Sequence, residues 1–498
     1  MRVLCFAKLM LLIYTACFAQ NKATIWVGGF HGGIDFNESI AVAFFRPDDN
    51  SFWIWRTSSS ICDSIGNLLF YTNGFRVFNR NFEIMQNGDS LDIGDYLLWG
   101  LDLSPTPDGA VIIPVPNNAS KYYVFYMNLN FIQSSAGLSL LPTHLIYSKI
   151  DMYLEGGVGG IESEEKNIPI LNDTLAQFGV KAVKHGNGRD WWLICHEYGT
   201  NGYYTFLVDS SGIYGPYKQE IGIVYKVVNA QISSIMKFSS DGKLFVHQSR
   251  DSNIVELFDF DRCSGQLSNY RTFQINEASV PVRGVSLSSS DRYLYVSSDF
   301  KEILQFDLQA TDIYQSRIVV GVDDGVADPF PAHYYLHQLA PDGKIYVVSY
   351  DGAYSLHVIN NPDSAGLACN FVQRGFPLVN GSQWVASAPN VVNYSLGPLE
   401  GSECDTLVSA IESTQSVFTY GLYPNPCFNS AQLSISGATE KAEIFLYNTF
   451  GQLLYKTTAF PSNNFIHTQL PVRDIVAGIY LVKVSMGEKE IAQKLVKR

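Results

Sequence analysis

The sequence predicts an all-β protein, and three observations carry that prediction. Aromatic residues make up 13% of the 498 residues, and aromatic side chains suit the half-buried faces of strands. The 40 glycines supply the turns that many short strands need. No apolar pattern with the period of a helix runs long enough to indicate a major helix. A chain of this length is also expected to form at least two domains.

The N-terminus indicates where the protein is located, and the net charge limits its partners. A basic start, an apolar run from Leu9 to Phe18 and the small residues Cys17 and Ala19 predict a signal peptide over residues 1–19. A lipoprotein anchored through Cys17 is the alternative, although Tyr14 stands where that motif needs an aliphatic residue. The net charge of −13 argues against nucleic acid as a partner, because phosphate binding needs a basic face. We therefore expect a secreted or outer-cell-surface protein.

The cysteines are scattered along the chain. Six remain after the leader: Cys62, Cys195, Cys263, Cys369, Cys404 and Cys427. No CxxC pair occurs, so neither a zinc cluster nor a thiol redox site is expected. Export permits disulfides, but the sequence does not choose among the pairings, and several of these cysteines would equally suit a buried position.

One phrase recurs along the chain: a polar turn, then a Gly or charged residue, then an apolar run. Its turn aspartates Asp241, Asp291 and Asp342 lie 50 and 51 residues apart. Looser copies occur at 64–71, 107–112 and 187–192. Each copy is followed by a second apolar run, as in short antiparallel strands. A period of about 50 residues with several strands per unit is typical of a β-propeller.

Residues 20–395 would hold about seven such blades at this period. The segment from Leu140 to Asp173 lies in an unusually wide gap, so it is either a degenerate blade or an insertion. The segments Trp384 to Val392 and Thr24 to Val27 are placed to complete one blade from both chain ends. Residues 396–416 are predicted to be a linker, because Gly, Pro and Ser cluster there.

Residues 417–498 have the size of one small β-sandwich. Four phrases in this region stand in a fixed order, and their key residues are Tyr423, Pro424, Asn425, Pro426, Gly478, Tyr480, Lys494, Leu495 and Val496. Their order and spacing resemble the type A sorting domain of type IX secretion. The resemblance implies an Ig-like sandwich that an outer-membrane translocon recognises and that is usually cleaved after export. An ordinary Ig-like carbohydrate-binding or adhesion module is the alternative.

The body carries a resemblance of its own. The phrases at 63–74 and 183–192 are similar to those of propeller-like proteins that commonly precede type IX sorting domains. That resemblance implies architecture and export but no chemistry.

A metal site has one candidate. Asp323, Asp324 and Asp328 fall within a single acidic turn, and clustered carboxylate oxygens are ligands that Ca²⁺ accepts. A solvated acidic loop is the alternative interpretation. No other cofactor is expected.

Catalytic motifs are missing, since neither GxSxG nor HExxH occurs. His185, His196 and His333 belong to different repeats and would meet only at the channel mouth. Carboxylates within hydrogen-bond reach of them would favour an extracellular hydrolase acting on glycans or peptides, whereas a ring face with exposed Tyr and Trp would favour binding. We predict a binding module for an extracellular glycan, peptide or protein, with the hydrolase and a structural surface-layer component as alternatives.

Overall fold

The computed structural model describes residues 22–47, 53–100, 102–134, 137–177, 179–225, 234–249, 253–276, 282–405, 419–423, 425, 427–436, 438, 440–449, 451–461, 465–487 and 489–498. The predicted signal peptide lies outside these residues. The chain divides into two compact units, Met1–Thr406 and Leu407–Arg498. Helices in the described residues are short 3₁₀ turns, at Gly94–Trp99, Glu155–Gly157, Ser163–Glu165, Tyr314–Ser316 and Gly366–Cys369. A helix long and apolar enough to cross a membrane is not found in this part of the chain.

The first three sheets of the first unit are irregular. Sheet 1 contains β1 (Ile25–Gly28), β2 (Gly32–Asp35) and β3 (Val42–Phe45), and sheet 2 contains β4 (Ser59–Cys62), β5 (Leu68–Thr72) and β6 (Val77–Asn79). Sheet 3 begins with β7 (Ala110–Pro114) and β8 (Lys121–Met127). A separate hairpin follows, with β9 (Asn130–Ser134) and β10 (Gly137–Leu141). Sheet 3 then resumes with β11 (His144–Asp151), β12 (Gly160–Ile161) and β13 (Ile168–Asn172). The wide gap in the repeat therefore holds an inserted hairpin and the outer strands of sheet 3.

Sheets 4 to 7 are four-stranded antiparallel meanders. Sheet 4 has β14 (Lys181–Lys184), β15 (Trp191–His196), β16 (Gly202–Val208) and β17 (Ile213–Glu220). Sheet 5 has β18 (Ser234–Phe238), β19 (Leu244–Ser249), β20 (Ile254–Asp261) and β21 (Gln266–Gln274). Sheet 6 has β22 (Val282–Leu287), β23 (Tyr293–Ser298), β24 (Glu302–Asp307) and β25 (Ile318–Val322). Sheet 7 has β26 (Tyr334–Leu339), β27 (Ile345–Ser349), β28 (Ser355–Ile359) and β29 (Phe371–Pro377).

These seven sheets form a ring, because the first strand of each sheet contacts the first strand of the next from sheet 1 through sheet 7. Buried apolar side chains fill the spaces between sheets; one core cluster joins Trp26 of sheet 1 with Val296 of sheet 6 and Val348 of sheet 7. A single sheet could not bury both of its faces, whereas each sheet here is covered by two neighbours. The predicted β-propeller of about seven blades is confirmed.

The ring closes through the segment 383–391 rather than through a regular strand. Gln383 exchanges two backbone hydrogen bonds with Phe30, and Trp384 exchanges two with Ala353 of sheet 7. Gly28 of β1 packs so tightly on the Trp384 ring that an added Cβ would lie 2.4 Å from it. The beginning and the end of the ring-forming part of the chain therefore meet at sheet 1. Beyond Trp384 the segment has no assigned strand, so this closure lacks a full ladder of hydrogen bonds.

The recurring Ser/Asp phrase forms the turn between the first and second strands of a sheet. Asp241 Oδ1 accepts a hydrogen bond from the Lys243 backbone N–H at 2.9 Å, which closes the turn. The turn requires a positive φ, which Gly242 supplies at 71° and Gly343 at 76°. Asp291 adopts φ 59° itself, and Asp is among the few side chains that tolerate this region. The repeat is therefore a structural turn.

We call the two open ends of the ring the turn end and the loop end. The turn end carries the turns between first and second strands, at 185–190, 239–243, 288–292 and 340–344. The loop end carries the segments that enter first strands or join second to third strands, including 53–58, 299–301, 328–333 and 350–354.

Residues 396–405, the first part of the predicted linker, lie against the turn end. A disulfide joins Cys404 to Cys263 in the turn after β20. Arg262 Nη2 donates to the Gly397 carbonyl at 2.6 Å, and the Leu399 backbone N–H donates to the Gly186 carbonyl at 2.7 Å. The other four cysteines of the body and C-terminal unit are buried free thiols.

The second unit is a two-sheet sandwich around one apolar core. One sheet contains β30 (Thr419–Tyr423), β31 (Ala431–Ser436) and β34 (Phe465–Leu470). The other contains β32 (Ala442–Asn448), β33 (Leu453–Ala459), β35 (Gly478–Met486) and β36 (Lys489–Lys497).

Candidate functional site

The loop end of the channel carries an aromatic and guanidinium cluster. The Arg56 guanidinium lies 4.5 Å from the Trp55 ring centroid and 5.2 Å from that of Tyr350. Arg56 Nη2 also donates to the Tyr350 hydroxyl at 2.6 Å. Arg56 precedes sheet 2 and Tyr350 follows β27 of sheet 7, so this contact spans sheet 1, which lies between those two sheets in the ring. All three side chains are half-buried, which leaves part of each open to solvent.

The same mouth continues over sheets 6 and 7. The Arg283 guanidinium lies 4.2 Å from the Phe300 ring centroid, and Phe300 packs on the His333 ring at 5.2 Å. His333 Nδ1 is hydrogen-bonded to Asp351 Oδ2, and both side chains are about one third exposed (37% and 36%). We call Trp55, Arg56, Arg283, Phe300, His333, Tyr350 and Asp351 the mouth cluster.

Two residues of the mouth cluster, Arg56 and Phe300, have a backbone conformation that is strained for a non-glycine residue. Arg56 has φ 33°, and the adjacent residues Asp299 and Phe300 have φ 49° and 59°. A non-glycine residue in this region costs roughly 1–3 kcal/mol and persists where the surroundings fix it, which is common at ligand sites. These backbone conformations set the directions in which the Arg56 guanidinium and the Phe300 ring leave the chain.

Further aromatic side chains around the loop end are open to solvent. Trp53 is 49% exposed, Phe330 48% and Tyr354 52%. Trp53 stands on Phe30 with ring centroids 5.6 Å apart. Large exposed aromatics grouped around one opening are the feature that favours binding.

The channel wall is held by a buried charge pair. Lys181 Nζ lies 2.6 Å from Asp108 Oδ2 and donates to Asn390 Oδ1 at 2.8 Å. Asn390 Nδ2 donates to the carbonyls of Asp108, Ala110 and Val180 at 3.2, 2.9 and 2.9 Å. The Lys181 and Asp108 side chains are 7% and 5% exposed. The closing segment is thereby tied to sheets 3 and 4.

Lys181, Asp108 and Lys237 share this interior space, and the pKa values of the first two are shifted. Burial lowers the pKa of Lys181, and the nearby ammonium of Lys237 lowers it further against the opposing effect of Asp108. Burial alone would raise the pKa of Asp108, but Lys181 and Lys237 hold that pKa below its usual value. The carboxylate is therefore ionised at neutral pH.

The predicted histidines do not converge. His185 lies at the turn end, where its Nε2 is 3.0 Å from the Cys263 carbonyl oxygen and its Nδ1 accepts the Asn187 N–H at 3.1 Å. His196 is fully buried, its ring nitrogens have no hydrogen-bond partner among the described residues, and burial lowers its pKa to about 3. Only His333 of the three has a carboxylate within hydrogen-bond reach.

The acidic turn proposed for calcium does not gather its carboxylates. Asp324 is paired with Arg374, which lowers the pKa of Asp324. Asp328 accepts a hydrogen bond from Ser355, and Asp323 Oδ1 accepts the Gly325 N–H at 3.1 Å. Within the described residues, no group of three or more His, Cys, Asp or Glu side chains is placed to hold a metal ion. The three carboxylates have separate partners, so the geometry gives the calcium interpretation no support.

The C-terminal unit brings its predicted phrases together. Asn425 Nδ2 donates to the Lys494 carbonyl at 2.8 Å, and Asn425 Oδ1 accepts the Val496 N–H at 2.9 Å. Tyr480 pairs with Leu495 across β35 and β36, and both side chains are buried. The Asn turn thus fixes the last strand of the chain.

The family comparison decides what this unit is. Residues 421–498 match the model of the secretion system C-terminal sorting domain. The C-terminal unit is a sorting domain. This domain marks proteins that type IX secretion delivers to the cell surface or extracellular space, so the protein is exported and its sorting domain interacts with that machinery.

The remaining sorting-motif residues have defined places. Gly478 begins β35, where the Tyr480 hydroxyl donates to the Val476 carbonyl at 2.6 Å. Tyr423 ends β30. Pro424 and Pro426 lie outside the described residues.

Comparison with curated proteins gave no match. Solved structures similar to the chain include the β-propeller domain of Myceliophteria thermophila Cps50 (Swd1), which is 11% identical, with 66% of this chain and 93% of that chain covered and a TM-score of 0.36. A protein from Lactobacillus plantarum is 12% identical, with 80% and 94% covered and a TM-score of 0.38. A putative 6-phosphogluconolactonase from Bacteroides uniformis is 12% identical, with 58% and 88% covered and a TM-score of 0.33. These TM-scores are low, so the β-propeller assignment rests on the seven sheets of this chain and no function is inferred from the likenesses.

The mouth cluster contains one predicted site residue, His333, and six that the sequence did not indicate. Arg283 lies in β22, and Trp55, Arg56, Phe300, Tyr350 and Asp351 belong to connections that share no repeated phrase. The only local signal was the dense aromatic run Trp53-Ile54-Trp55-Arg56.

Proposed function

We propose that the first unit is an extracellular binding module whose ligand contacts the mouth cluster. The observation that carries this proposal is the half-exposed stack of Trp55, Arg56 and Tyr350 across the channel opening. A guanidinium held between aromatic rings is pre-organised, so little side-chain freedom is lost when a ligand binds.

The chemistry of the mouth cluster favours a glycan or peptide that carries an anionic group. Flat aromatic faces pack against sugar rings or apolar side chains, and guanidinium groups form paired hydrogen bonds with carboxylates. Loops on a rigid ring are also where binding residues are commonly placed. Another surface protein that presents a glycan or peptide segment with an anionic group would be a ligand of the same chemistry.

The sorting domain gives the binding module its location. We propose that the outer-membrane translocon recognises this domain and that the first unit then meets its ligand outside the cell. The fixing of β36 by Asn425 supports this, because it presents one defined C-terminal strand for recognition.

A glycan array and a panel of extracellular peptides test the binding proposal on the full chain and on two variants. Arg56→Met removes the stacked guanidinium and should weaken binding about tenfold or more, because a charge-assisted contact is lost. Arg292→Met is the matched control: Arg292 lies 5.2 Å from the Tyr293 ring centroid, but at the turn end. Equal binding by both variants would contradict the proposal.

One observation favours a second function, a hydrolase with its site in the same mouth. Asp351 Oδ2 accepts a hydrogen bond from His333 Nδ1 and so orients the imidazole, as a general base requires. Hydrolysis of a glycan or peptide substrate that is lost in His333→Gln, with ligand binding retained, would establish this function in place of simple binding.

A further inference from the structure

A cavity opens at the turn end of the channel, on the opposite side of the ring from the mouth cluster. Its volume is about 410 Å³, which lies in the range of small-molecule sites. Its walls come from first strands of sheets 4 to 7 and from residues 391–396 of the closing segment. Exposed residues such as Ser240 and Asn393 form its rim, so solvent reaches it.

The charges at this cavity do not balance at its floor. Lys181 and Lys237 both line it, and Asp108 pairs with Lys181. Lys237 Nζ instead donates to the neutral amide oxygen of Gln338 at 2.9 Å. The Lys237 ammonium therefore has no carboxylate in direct contact among the described residues, although the chain as a whole carries a net charge of −13.

The carboxylate on the rim is already committed to other donors. Asp291 accepts the Ser240 backbone N–H at 2.9 Å and the Ser240 hydroxyl at 2.5 Å. These bonds fix Asp291 at the rim and point its oxygens toward the Ser240 turn. It would repel a second negative charge near the opening, so the site suits a ligand with one anionic group.

We propose that this cavity binds a small hydroxylated carboxylate, a sugar acid, with its carboxylate on Lys237 and its hydroxyls toward the polar rim. Lys181, which is 7% exposed and is held in place by Asn390 and Asp108, lies beside it as a further hydrogen-bond donor. Ser286, which also lines the cavity, supplies a hydroxyl group for the neutral part of the ligand. The site is separate from the mouth cluster and does not depend on it.

Isothermal titration calorimetry on the full chain tests this assignment with D-glucuronate and with D-glucose as its uncharged counterpart. Glucuronate should bind in a 1:1 ratio, and glucose should bind at least about tenfold more weakly because it lacks the charge-assisted bond. Lys237→Met should weaken glucuronate binding by a similar factor. Lys243→Met is the matched control, because Lys243 is exposed on the neighbouring turn and does not line the cavity.

A neutral oligosaccharide that ends in a single glucuronate identifies the source of the ligand. Tighter binding of this oligosaccharide than of glucuronate indicates the end of a longer glycan, and equal binding indicates a free sugar acid; both support the site. Thermal melts of the two variants show whether each is folded. Absent glucuronate binding, or equal binding by folded Lys237→Met and the wild type, would overturn the assignment.

Discussion

The two ends of the ring are built on different principles. At the turn end, short Asp-containing turns satisfy their own hydrogen bonds, and a disulfide and Arg262 hold the segment 396–405 against them. At the loop end, connections of unequal length place half-exposed aromatic and charged side chains around the opening, and the backbone of Arg56 and Phe300 is strained. The repeated residues of this chain therefore build the ring, whereas unrepeated residues form the mouth cluster.

The buried pair behind the turn end should give the largest effect. Lys181→Met leaves Asp108 buried without its partner, and such a loss typically costs about 3–5 kcal/mol of unfolding free energy. Urea denaturation measures it. The exposed pair Arg271–Asp259 is the control, since Arg271→Met should cost no more than about 1 kcal/mol. Equal costs would mean that the buried pair does not anchor the channel wall.

The disulfide at the turn end should give the next largest effect. Cys263 and Cys404 are separated by 141 residues, so the bond restricts a long segment of the unfolded chain. The double variant Cys263→Ser/Cys404→Ser should lose about 2–4 kcal/mol, measured by denaturation without reductant. Wild-type protein treated with reductant should match the double variant; unchanged stability in both would refute the role of this bond.

The walls between blades should make stability sensitive to acid. Burial lowers the pKa of His196 and of His337 to about 3 each, well below the value of an unfolded histidine. Below about pH 6.5 the unfolded chain therefore binds more protons than the folded chain. As the pH is lowered, the free energy of unfolding falls by up to about 1.4 kcal/mol per pH unit for each histidine. Denaturation between pH 6.5 and 5.5 measures the slope. His337→Leu should make this slope shallower by up to about 1.4 kcal/mol per pH unit, because one proton fewer is taken up on unfolding. An unchanged slope would contradict the lowered pKa of His337.

The mouth cluster should show the smallest effect on stability. Arg56→Gly removes the stacked guanidinium but also relieves the strain at φ 33°. These effects oppose each other, so the free energy of unfolding should change by no more than about 1 kcal/mol. Ligand binding should fall in the same variant. A loss of stability comparable to that of Lys181→Met would show that the mouth cluster is structural.

Sequence patterns predicted the ring well because they reflect local geometry that recurs. The turn aspartates at 241, 291 and 342 mark the start of second strands, and the blade number follows from their period. The sorting domain was equally accessible, because its phrases are local and lie in order. The role of the segment after Trp384 was only partly predicted, since its hydrogen bonds go to other sheets rather than to one neighbouring strand.

The candidate site was largely beyond prediction for a physical reason. Arg56 and Tyr350 are 294 residues apart and meet only when the ring closes. The acidic turn at 323–328 shows the converse case, because its carboxylates are close in sequence but have separate partners in Arg374, Ser355 and the local backbone. The calcium site there stays a prediction.

Closure of the ring underlies the comparison of its two ends, and an engineered disulfide tests it directly. Phe30 and Gln383 form a hydrogen-bonded antiparallel pair, for which the Cα atoms lie about 5.5 Å apart, within the range that a disulfide spans. The variant Phe30→Cys/Gln383→Cys should form this bond in the folded monomer, and mass spectrometry of the unreduced digest should show the two peptides linked. Recovery of both cysteines as free thiols after oxidation, in a folded protein, would contradict the closed ring.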